Sequence, residues 1–444
     1  MADSRLKLAG VDGISNVLLC KLWKGFKESP EVLNDVPSRF HLQRDILREF
    51  LKFGQTITLP VTANGQTTKF SWHCTRPQDV LKYLCDKSAT FAHFLDSKLN
   101  RSETAKMIIS YDEITGGNVL RPDNKRKFVV FSCSFKCFGT SLASKSCLWM
   151  PFAILRSTVV KGVKGGLSRC KRDLLRTAFG LKNKIPSGDG LQDGFILSLP
   201  SGPRLVTVHL SNNLADEAAL STALGFKGAS GLLPCLGCKN IVMRGSKRQR
   251  ASTRVHEVSC ADPKLFDERT DDDCIEAVRL LRKIRRTMRP EDVEESQKQL
   301  GITHNPLGVL ADKRLRHVYS PMGSLTYDPM HTYLQSGVCN TEVFLLLRSM
   351  KPHGIAWSTI YEFCRSSITW PKFQCDKGTR LYECFNETRR KNSSKTFKCG
   401  ASEMLGLMPL IDHFLTLLPE NLQDSMKPEI ASFHQLHKCV GYYM

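Results

Sequence analysis

The stretch that decides the fold is "KMIISYDEITGGNVLRPDNKRKFVVFSCSF", residues 106–135. Its first part, 106–112, is an apolar run that predicts a short buried strand ending in a carboxylate, Asp112. Residues 126–135 predict a second strand, and "CLWMPFAILRS" (147–157) predicts a third. Because the connections are short, we expect these three strands to form an antiparallel meander.

The sequence after the meander alternates between helix and strand patterns. "GLSRCKRDLLRTAFGL" (166–181) has the apolar spacing of a basic amphipathic helix, and "RLVTVHL" (204–210) predicts a fourth strand. "ADEAALSTALGF" (215–226) predicts a helix that begins beside a second acid, Asp216. Three strands, a helix, a strand and a helix, in this order, indicate a mixed sheet in an α/β protein.

Four regions follow from these patterns. Residues 1–104 are expected to form a mostly helical N-terminal region, although residues 55–74 carry the Asn-Gly signal of a β-hairpin. Residues 105–229 hold the first part of the α/β core, and residues 230–320 interrupt it with a cysteine pair, a basic tract and an acidic cluster. Residues 321–444 form the last part of the core, with its terminal helix.

The composition favours a polyanionic partner. The chain has 64 Lys and Arg residues against 43 Asp and Glu residues, giving a net charge of +21. Such an excess favours DNA, RNA or anionic lipid, and the absence of an apolar run of about 18 residues argues against a membrane. The 17 cysteines, without a signal-peptide pattern at the N-terminus, indicate reduced thiols. We therefore expect a nucleic-acid-binding protein of the nucleus or the cytosol, with no membrane association.

Three acids stand at the ends of predicted elements. Asp112 closes the first strand, Asp216 follows the fourth, and Glu403 lies in the first turns of an apolar helix at 399–419. Each has a structural alternative, because acids at such positions commonly cap helices or complement the helix dipole. Together they also fit a site for two Mg²⁺ or Mn²⁺ ions, which clamp the attacking and leaving oxygens of a phosphodiester.

An RNase H-like fold brings acids together from these positions. Its first acid lies on the first strand of a three-strand meander, its second at the end of the fourth strand, and its third on a terminal helix. Asp112, Asp216 and Glu403 occupy the same places. We therefore predict an RNase H-like mixed sheet with a large insertion, and a Mg²⁺-dependent (or Mn²⁺-dependent) enzyme that cleaves and transfers DNA strands.

The insertion carries a candidate zinc site. Cys235 and Cys238 have C-x2-C spacing, and His256 and Cys260 follow downstream. Three thiolates and one imidazole at these intervals suit a tetrahedral structural Zn²⁺. Ordinary buried thiols are the alternative.

A basic run in the same insertion is the candidate DNA contact. "LLRKIRR" (280–286) contains Arg282, Lys283, Arg285 and Arg286, which could hold the phosphate backbone. A solvated helix face is the alternative, since most basic runs have that role.

Four stretches carry a resemblance to a known family. They are "YDEITGGNVLRPDNKRKFVVFSCSF" (111–135), "LADEAALSTALGFKGASGLLPCLGCKN" (214–240), "YDPMHTYLQSGVC" (327–339) and "FKCGASEMLGLMPLIDHF" (397–414). In this order they resemble DDE transposases of the CACTA (En/Spm-like) group, especially its divergent, transposon-derived dinoflagellate-type members. The resemblance covers about residues 105 to 420.

The resemblance implies a DNA transposase with Asp112, Asp216 and Glu403 as catalytic acids. It also implies that Asp328 and His331, in the D-x-M-H block, lie near the metal pocket, with a helix N-cap and a core histidine as their alternative roles. The implied partners are transposon ends and target DNA, and a homo-oligomer is compatible with this activity. Plant members usually carry glycine where this chain has Glu113, which leaves open whether Asp112 or Glu113 faces the site.

Two other functions fit the same residues. One is a catalytically inactive, transposon-derived, zinc-containing protein that binds DNA without needing Mg²⁺. The other is an RNase H-like nuclease, which would cut RNA or branched DNA and never join strands.

Overall fold

The computed structural model describes residues 53–99, 104–115, 127–143, 148–181, 190–243, 256–257, 262–368, 381–392 and 396–441. The chain divides into two compact units, Met1–Thr326 (unit 1) and Tyr327–Met444 (unit 2).

The strands and helices of the described residues are numbered here in chain order. The strands are β1 Gly54–Ala63, β2 Gln66–Thr75, β3 Ala105–Thr115, β4 Lys127–Phe135, β5 Met150–Arg156, β6 Phe195–Leu199, β7 Gly202–Val206, β8 Val208–Ala215, β9 Ile241–Val242, β10 His256–Glu257 and β11 Leu325–Tyr327. The helices are α1 Pro77–Lys87, α2 Ala89–Lys98, α3 Thr140–Ala143, α4 Ser157–Gly162, α5 Gly166–Ala178, α6 Glu217–Leu224, α7 Asp271–Thr287, α8 Pro290–Leu300, α9 Val338–Met350, α10 Trp357–Glu362, α11 Glu387–Asn392, α12 Ala401–Thr416, α13 Glu420–Ser425 and α14 Lys427–Gly441. None of these helices is long and apolar enough to cross a bilayer.

A mixed sheet of seven strands, in the order β1-β2-β5-β4-β3-β8-β11, organises unit 1. Strands β3, β4 and β5 form the predicted antiparallel meander, and β8 lies parallel to β3. This confirms the mixed α/β sheet. The predicted fourth strand at 204–210 is divided, because β7 pairs with β6 in a separate hairpin while β8 enters the main sheet.

The predicted hairpin in the N-terminal region is confirmed, and it extends the main sheet. Ala63 pairs with Gln66 across Asn64 and Gly65, whose φ angles of 50° and 78° are those of a tight hairpin turn. Strand β2 pairs with β5, and Trp72 Nε1 donates a hydrogen bond of 3.0 Å to a β5 carbonyl. The described part of region 1–104 therefore holds two strands besides two helices, since the edge of β5 needs a hydrogen-bonding neighbour.

Helix α5 confirms the predicted amphipathic helix, but its arginines are paired with acids inside unit 1. Arg172 contacts Asp173 at 2.6 Å, and Arg176 contacts the buried Asp312 at 2.5 Å. Its apolar side is buried through Leu167, Cys170, Leu174, Leu175 and Ala178. The basic character of α5 is therefore largely neutralised, and the helix offers little free charge to a nucleic acid.

The described residues of unit 2 are mainly helical. Its core is formed largely by α9, α12 and α14, with Val343, Leu347, Met404, Leu407 and Phe433 among the buried side chains. The late apolar helix predicted at 399–419 is confirmed as α12.

Helix α9 does not begin directly after β11. Residues Met330–Leu334 form a π-helical turn, and the α-helix begins at Val338. Between them the chain folds back so tightly that a Cβ on Gly337 would lie 2.2 Å from the carbonyl oxygen of Thr332. Glycine is therefore required at this position.

Candidate functional site

Two of the predicted acids lie near the carboxyl ends of neighbouring parallel strands. Strand β3 continues to Thr115, so Asp112 does not close the strand as predicted but lies inside it, while Asp216 directly follows β8. Ile108, Ile109 and Ser110 of β3 pair with Asn212, Asn213 and Leu214 of β8. Continuing this register by two residues sets Asp112 opposite Asp216. Because adjacent strands lie about 4.8 Å apart, the two carboxylates are placed to share ligands at one edge of the sheet.

Strand alternation decides between Asp112 and Glu113. Successive side chains of a strand point to opposite faces, so Asp112 shares the face of Ser110, and through the register the face of position 216. Glu113 points the other way and binds Lys127 Nζ at 2.8 Å. This hydrogen bond lowers the pKa of Glu113. Asp112 is exposed, and its Oδ1 accepts a hydrogen bond of 2.7 Å from the backbone of Glu113.

Asp216 also has the structural role that the sequence left open. It is the N-cap of α6, and its Oδ1 accepts a hydrogen bond of 2.6 Å from the backbone N–H of Ala219. The capping bond orients the carboxylate and uses one of its oxygens. Capping therefore fixes Asp216 at the strand end and does not by itself prevent its other oxygen from binding an ion.

A buried lysine beneath these strand ends was missed by the sequence analysis. Lys171 of α5 is 1% exposed, and its Nζ lies 2.8 Å from Asn213 Oδ1 and 3.1 Å from the hydroxyl of Tyr319. The sequence did contain a signal for this burial. Lys171 lies in the apolar stripe of α5, next to Cys170 and one turn before Leu174. A charged residue in such a stripe indicates a buried polar contact.

Asp328 and His331 form a close pair in unit 2. Asp328 Oδ2 lies 2.5 Å from His331 Nδ1, while Asp328 Oδ1 accepts a hydrogen bond of 2.9 Å from the backbone of Met330. The aspartate thus caps the π turn and orients the imidazole, leaving Nε2 as the ring nitrogen that can meet another group. Two backbone features often found at functional sites accompany the pair: the π turn itself, and Ser336 with a φ of 59°.

Glu403, the third predicted acid, is held by an arginine in unit 2. Its two oxygens lie 3.0 and 3.1 Å from the guanidinium of Arg389, and its Oε2 also accepts the backbone N–H of Gly400 at the start of α12. Burial acts to raise the pKa of Glu403, but the bonds from Arg389 and Gly400 outweigh it and lower the pKa. The ion pair therefore stabilises the fold above the unfolded pKa of about 4.3 and is lost as the pH falls through the lowered value.

The predicted DNA-contact residues are exposed on the last turns of α7. They are Arg282, Lys283, Arg285 and Arg286. Arg285 lies 3.0 Å from His304 Nδ1, and burial together with the charges of Arg285 and Arg282 lowers the pKa of His304. The contact with His304 does not neutralise Arg285, because an imidazole carries no negative charge. Three aspartates begin the same helix, so its charges also complement the helix dipole.

The described ligands of the candidate zinc site lie on neighbouring backbone segments. The thiols of Cys235 and Cys238 contact each other, and burial followed by this neighbour raises the pKa of Cys238 to about 12. His256 lies in β10, and its backbone N–H donates to the carbonyl of Asn240, two residues after Cys238. Three predicted ligands thus come from adjoining backbone segments, and Cys260 lies outside the described residues.

The structure places the predicted residues in separate groups. Asp112 and Asp216 belong to unit 1, whereas Asp328, His331 and Glu403 belong to unit 2. Within the described ranges, no three His, Cys, Asp or Glu side chains are already gathered in the arrangement that holds a metal ion.

Comparison with known proteins does not assign a function to these residues. No protein-family model matches the chain, and no curated protein matches it. The function proposed below therefore rests on this chain's own residues and on the resemblance that its sequence stretches carry.

Proposed function

We propose that this chain is a divalent-metal-dependent polynucleotidyl transferase that cleaves and joins DNA strands. The observation that carries the proposal is the parallel register of β3 and β8, in which Ser110 pairs with Leu214; continued by two residues, this register would set Asp112 opposite Asp216. Carboxylates with few other ligands are what Mg²⁺ and Mn²⁺ prefer, because these ions keep several waters and bind substrate phosphates.

The sheet supports an RNase H-like fold for this chemistry. The order β5-β4-β3-β8, with an antiparallel meander, a helix and then a strand parallel to the first, is the order that such a fold uses. Along the chain, helix α5 lies between β5, the last strand of the meander, and β8, as that arrangement requires. The large segment between β8 and α12 is the insertion that the fold would have to accept.

Each residue of the proposed site has a defined task. Bound divalent ions would stabilise the charge that develops on the phosphate and lower the pKa of the attacking hydroxyl. Asp112 and Asp216 would hold them at the sheet edge, and Glu403 is the third catalytic acid that the resemblance implies. His331, oriented by Asp328, would contact a phosphate through Nε2, which can donate a hydrogen bond only when both ring nitrogens carry protons.

Transposition is the specific activity that we propose, from the resemblance to CACTA transposases. It requires the same site to cut transposon ends and join their 3′-hydroxyls to target DNA, in the nucleus. The exposed cations of α7 would hold the DNA backbone.

We also propose a structural Zn²⁺ at Cys235, Cys238, His256 and Cys260. Purified protein should carry about one zinc per chain, and the variant Cys235→Ser/Cys238→Ser should lose it. Because a structural zinc stabilises the segment that binds it, the variant should also melt at least about 5 °C lower. Zinc content and thermal unfolding measure both, with Cys439→Ser, an exposed thiol, as the control. Full zinc content in the double variant would exclude this site.

A catalytically inactive DNA-binding protein is the second candidate. It is favoured by the roles that two of the acids already have, since Asp216 caps α6 and Glu403 pairs with Arg389. It would bind DNA equally well with and without divalent metal.

Supercoiled plasmid DNA tests these candidates without knowledge of a target sequence. With Mg²⁺ or Mn²⁺ we expect nicked and linear products, and joined plasmids would identify strand transfer. Cleavage without joined products would indicate a nuclease. Plasmid that is bound but stays intact in both metals would contradict the proposed enzyme.

A further inference from the structure

Among the described residues that pack around the main sheet, Lys171 is the most deeply buried cation. Each group that its Nζ contacts is neutral. Besides Asn213 Oδ1 and the Tyr319 hydroxyl, the nitrogen lies 4.9 Å from the ring centre of Tyr111 and 5.0 Å from that of Tyr319. An amide oxygen, a hydroxyl and two aromatic faces thus surround an amine that is 1% exposed.

This arrangement is a costly way to fill a core. Burial of an amine without a carboxylate partner disfavours its charged form, and it lowers the pKa of Lys171 well below the usual value. A methionine of similar length would fill the same space without burying an amine, although it would leave Asn213 Oδ1 without its donor. The contacts of Lys171 therefore point to a role beyond packing.

The residues that Lys171 touches connect it to both acids. Tyr111 directly precedes Asp112 on β3, and Asn213 lies on β8 three residues before Asp216. Asn213 Nδ2 in turn lies 3.2 Å from the Tyr319 hydroxyl, which closes a small buried network. One side chain of α5 is thus in contact with both acid-bearing strands next to their carboxyl ends.

We infer that Lys171 is a positioning residue of the Asp112–Asp216 site, holding the ends of β3 and β8 at the spacing that divalent ions require. The inference rests on the proposed function, because it assigns a support to the metal site proposed there. Lys171 acts through Tyr111 and Asn213 and does not itself touch metal or DNA. Supports of this kind orient the ligands, and their removal typically weakens metal binding about 10- to 100-fold.

The test compares Mn²⁺ affinity with thermal stability in two variants of the zinc-loaded full chain. Lys171→Met removes the amine and keeps the volume, and Tyr319→Phe removes only the hydroxyl at 3.1 Å. We expect Mn²⁺ to bind at least about tenfold more weakly to Lys171→Met than to the wild type. The loss should be smaller in Tyr319→Phe, and both variants should melt within about 5 °C of the wild type. Lys164→Met, an exposed lysine just before the same helix, is the matched control.

The double variant separates positioning from general damage. If Lys171 and Tyr319 act through one contact, Lys171→Met/Tyr319→Phe should bind Mn²⁺ no more weakly than Lys171→Met alone. Unchanged Mn²⁺ affinity in both single variants would overturn the inference while leaving the proposed metal site intact. If Lys171→Met does not fold, Tyr319→Phe alone decides. No Mn²⁺ binding by the wild type would instead refute the proposed function, and the inference with it.

Discussion

Asp216→Asn is expected to abolish metal-dependent DNA cleavage and to leave DNA binding nearly unchanged. Asn keeps a side-chain oxygen for the backbone N–H of Ala219, so α6 retains its cap. It removes the charge that a divalent ion needs, and losing several kcal/mol of transition-state stabilisation corresponds to a rate decrease of at least about 10³-fold. Plasmid nicking measures the rate, and fluorescence anisotropy measures DNA affinity.

Glu217→Gln provides the matched control for this variant. Glu217 is the exposed neighbour of Asp216, so its substitution removes the same charge one residue away from the proposed ligand. Cleavage should continue in Glu217→Gln. Cleavage that also continues in Asp216→Asn would remove Asp216 from the catalytic site and leave capping as its function.

Arg282→Gln/Arg286→Gln is expected to weaken DNA binding at every sequence by roughly tenfold or more. The two guanidinium groups lie on the exposed last turns of α7. Each lost phosphate contact should reduce the slope of log affinity against log salt by about one. Anisotropy titrations between low and moderate salt measure both quantities.

Two exposed cations outside α7 provide the matched control for this loss of DNA affinity. Arg348→Gln/Lys351→Gln removes the same charge from unit 2, on α9 and just beyond it. This pair should leave the salt slope nearly unchanged if α7 is the DNA contact. Equal losses in both double variants would show that binding depends on overall net charge.

The main sheet was predictable because its signals are local. Apolar runs in β3 and β4, and the Asn-Gly turn between β1 and β2, specify strands and a hairpin with little help from the rest of the chain. The division of 204–210 between β7 and β8 was not predictable, because it depends on which strand each half pairs with. The late start of α9 likewise depends on the tight contact at Gly337.

The candidate site was predictable only as far as strand order fixes it. The positions of Asp112 and Asp216 follow from the meander and the parallel strand, and alternation then places Glu113 on the opposite face. The ion pair of Glu403 with Arg389 joins residues fourteen apart through side chains that no periodic pattern reveals. Lys171 could have been singled out from its place in an apolar stripe, but its partners Asn213 and Tyr319 could not.

The central claim is that Asp112 and Asp216 together bind divalent metal at the ends of β3 and β8. Calorimetric titration of Mn²⁺ into the zinc-loaded wild type and into Asp112→Asn/Asp216→Asn tests it most directly. We expect saturable binding near two ions per chain in the wild type and its loss in the double variant. Equal binding in both proteins, or none in either, would contradict the metal site and favour a basic DNA-binding protein without catalytic activity.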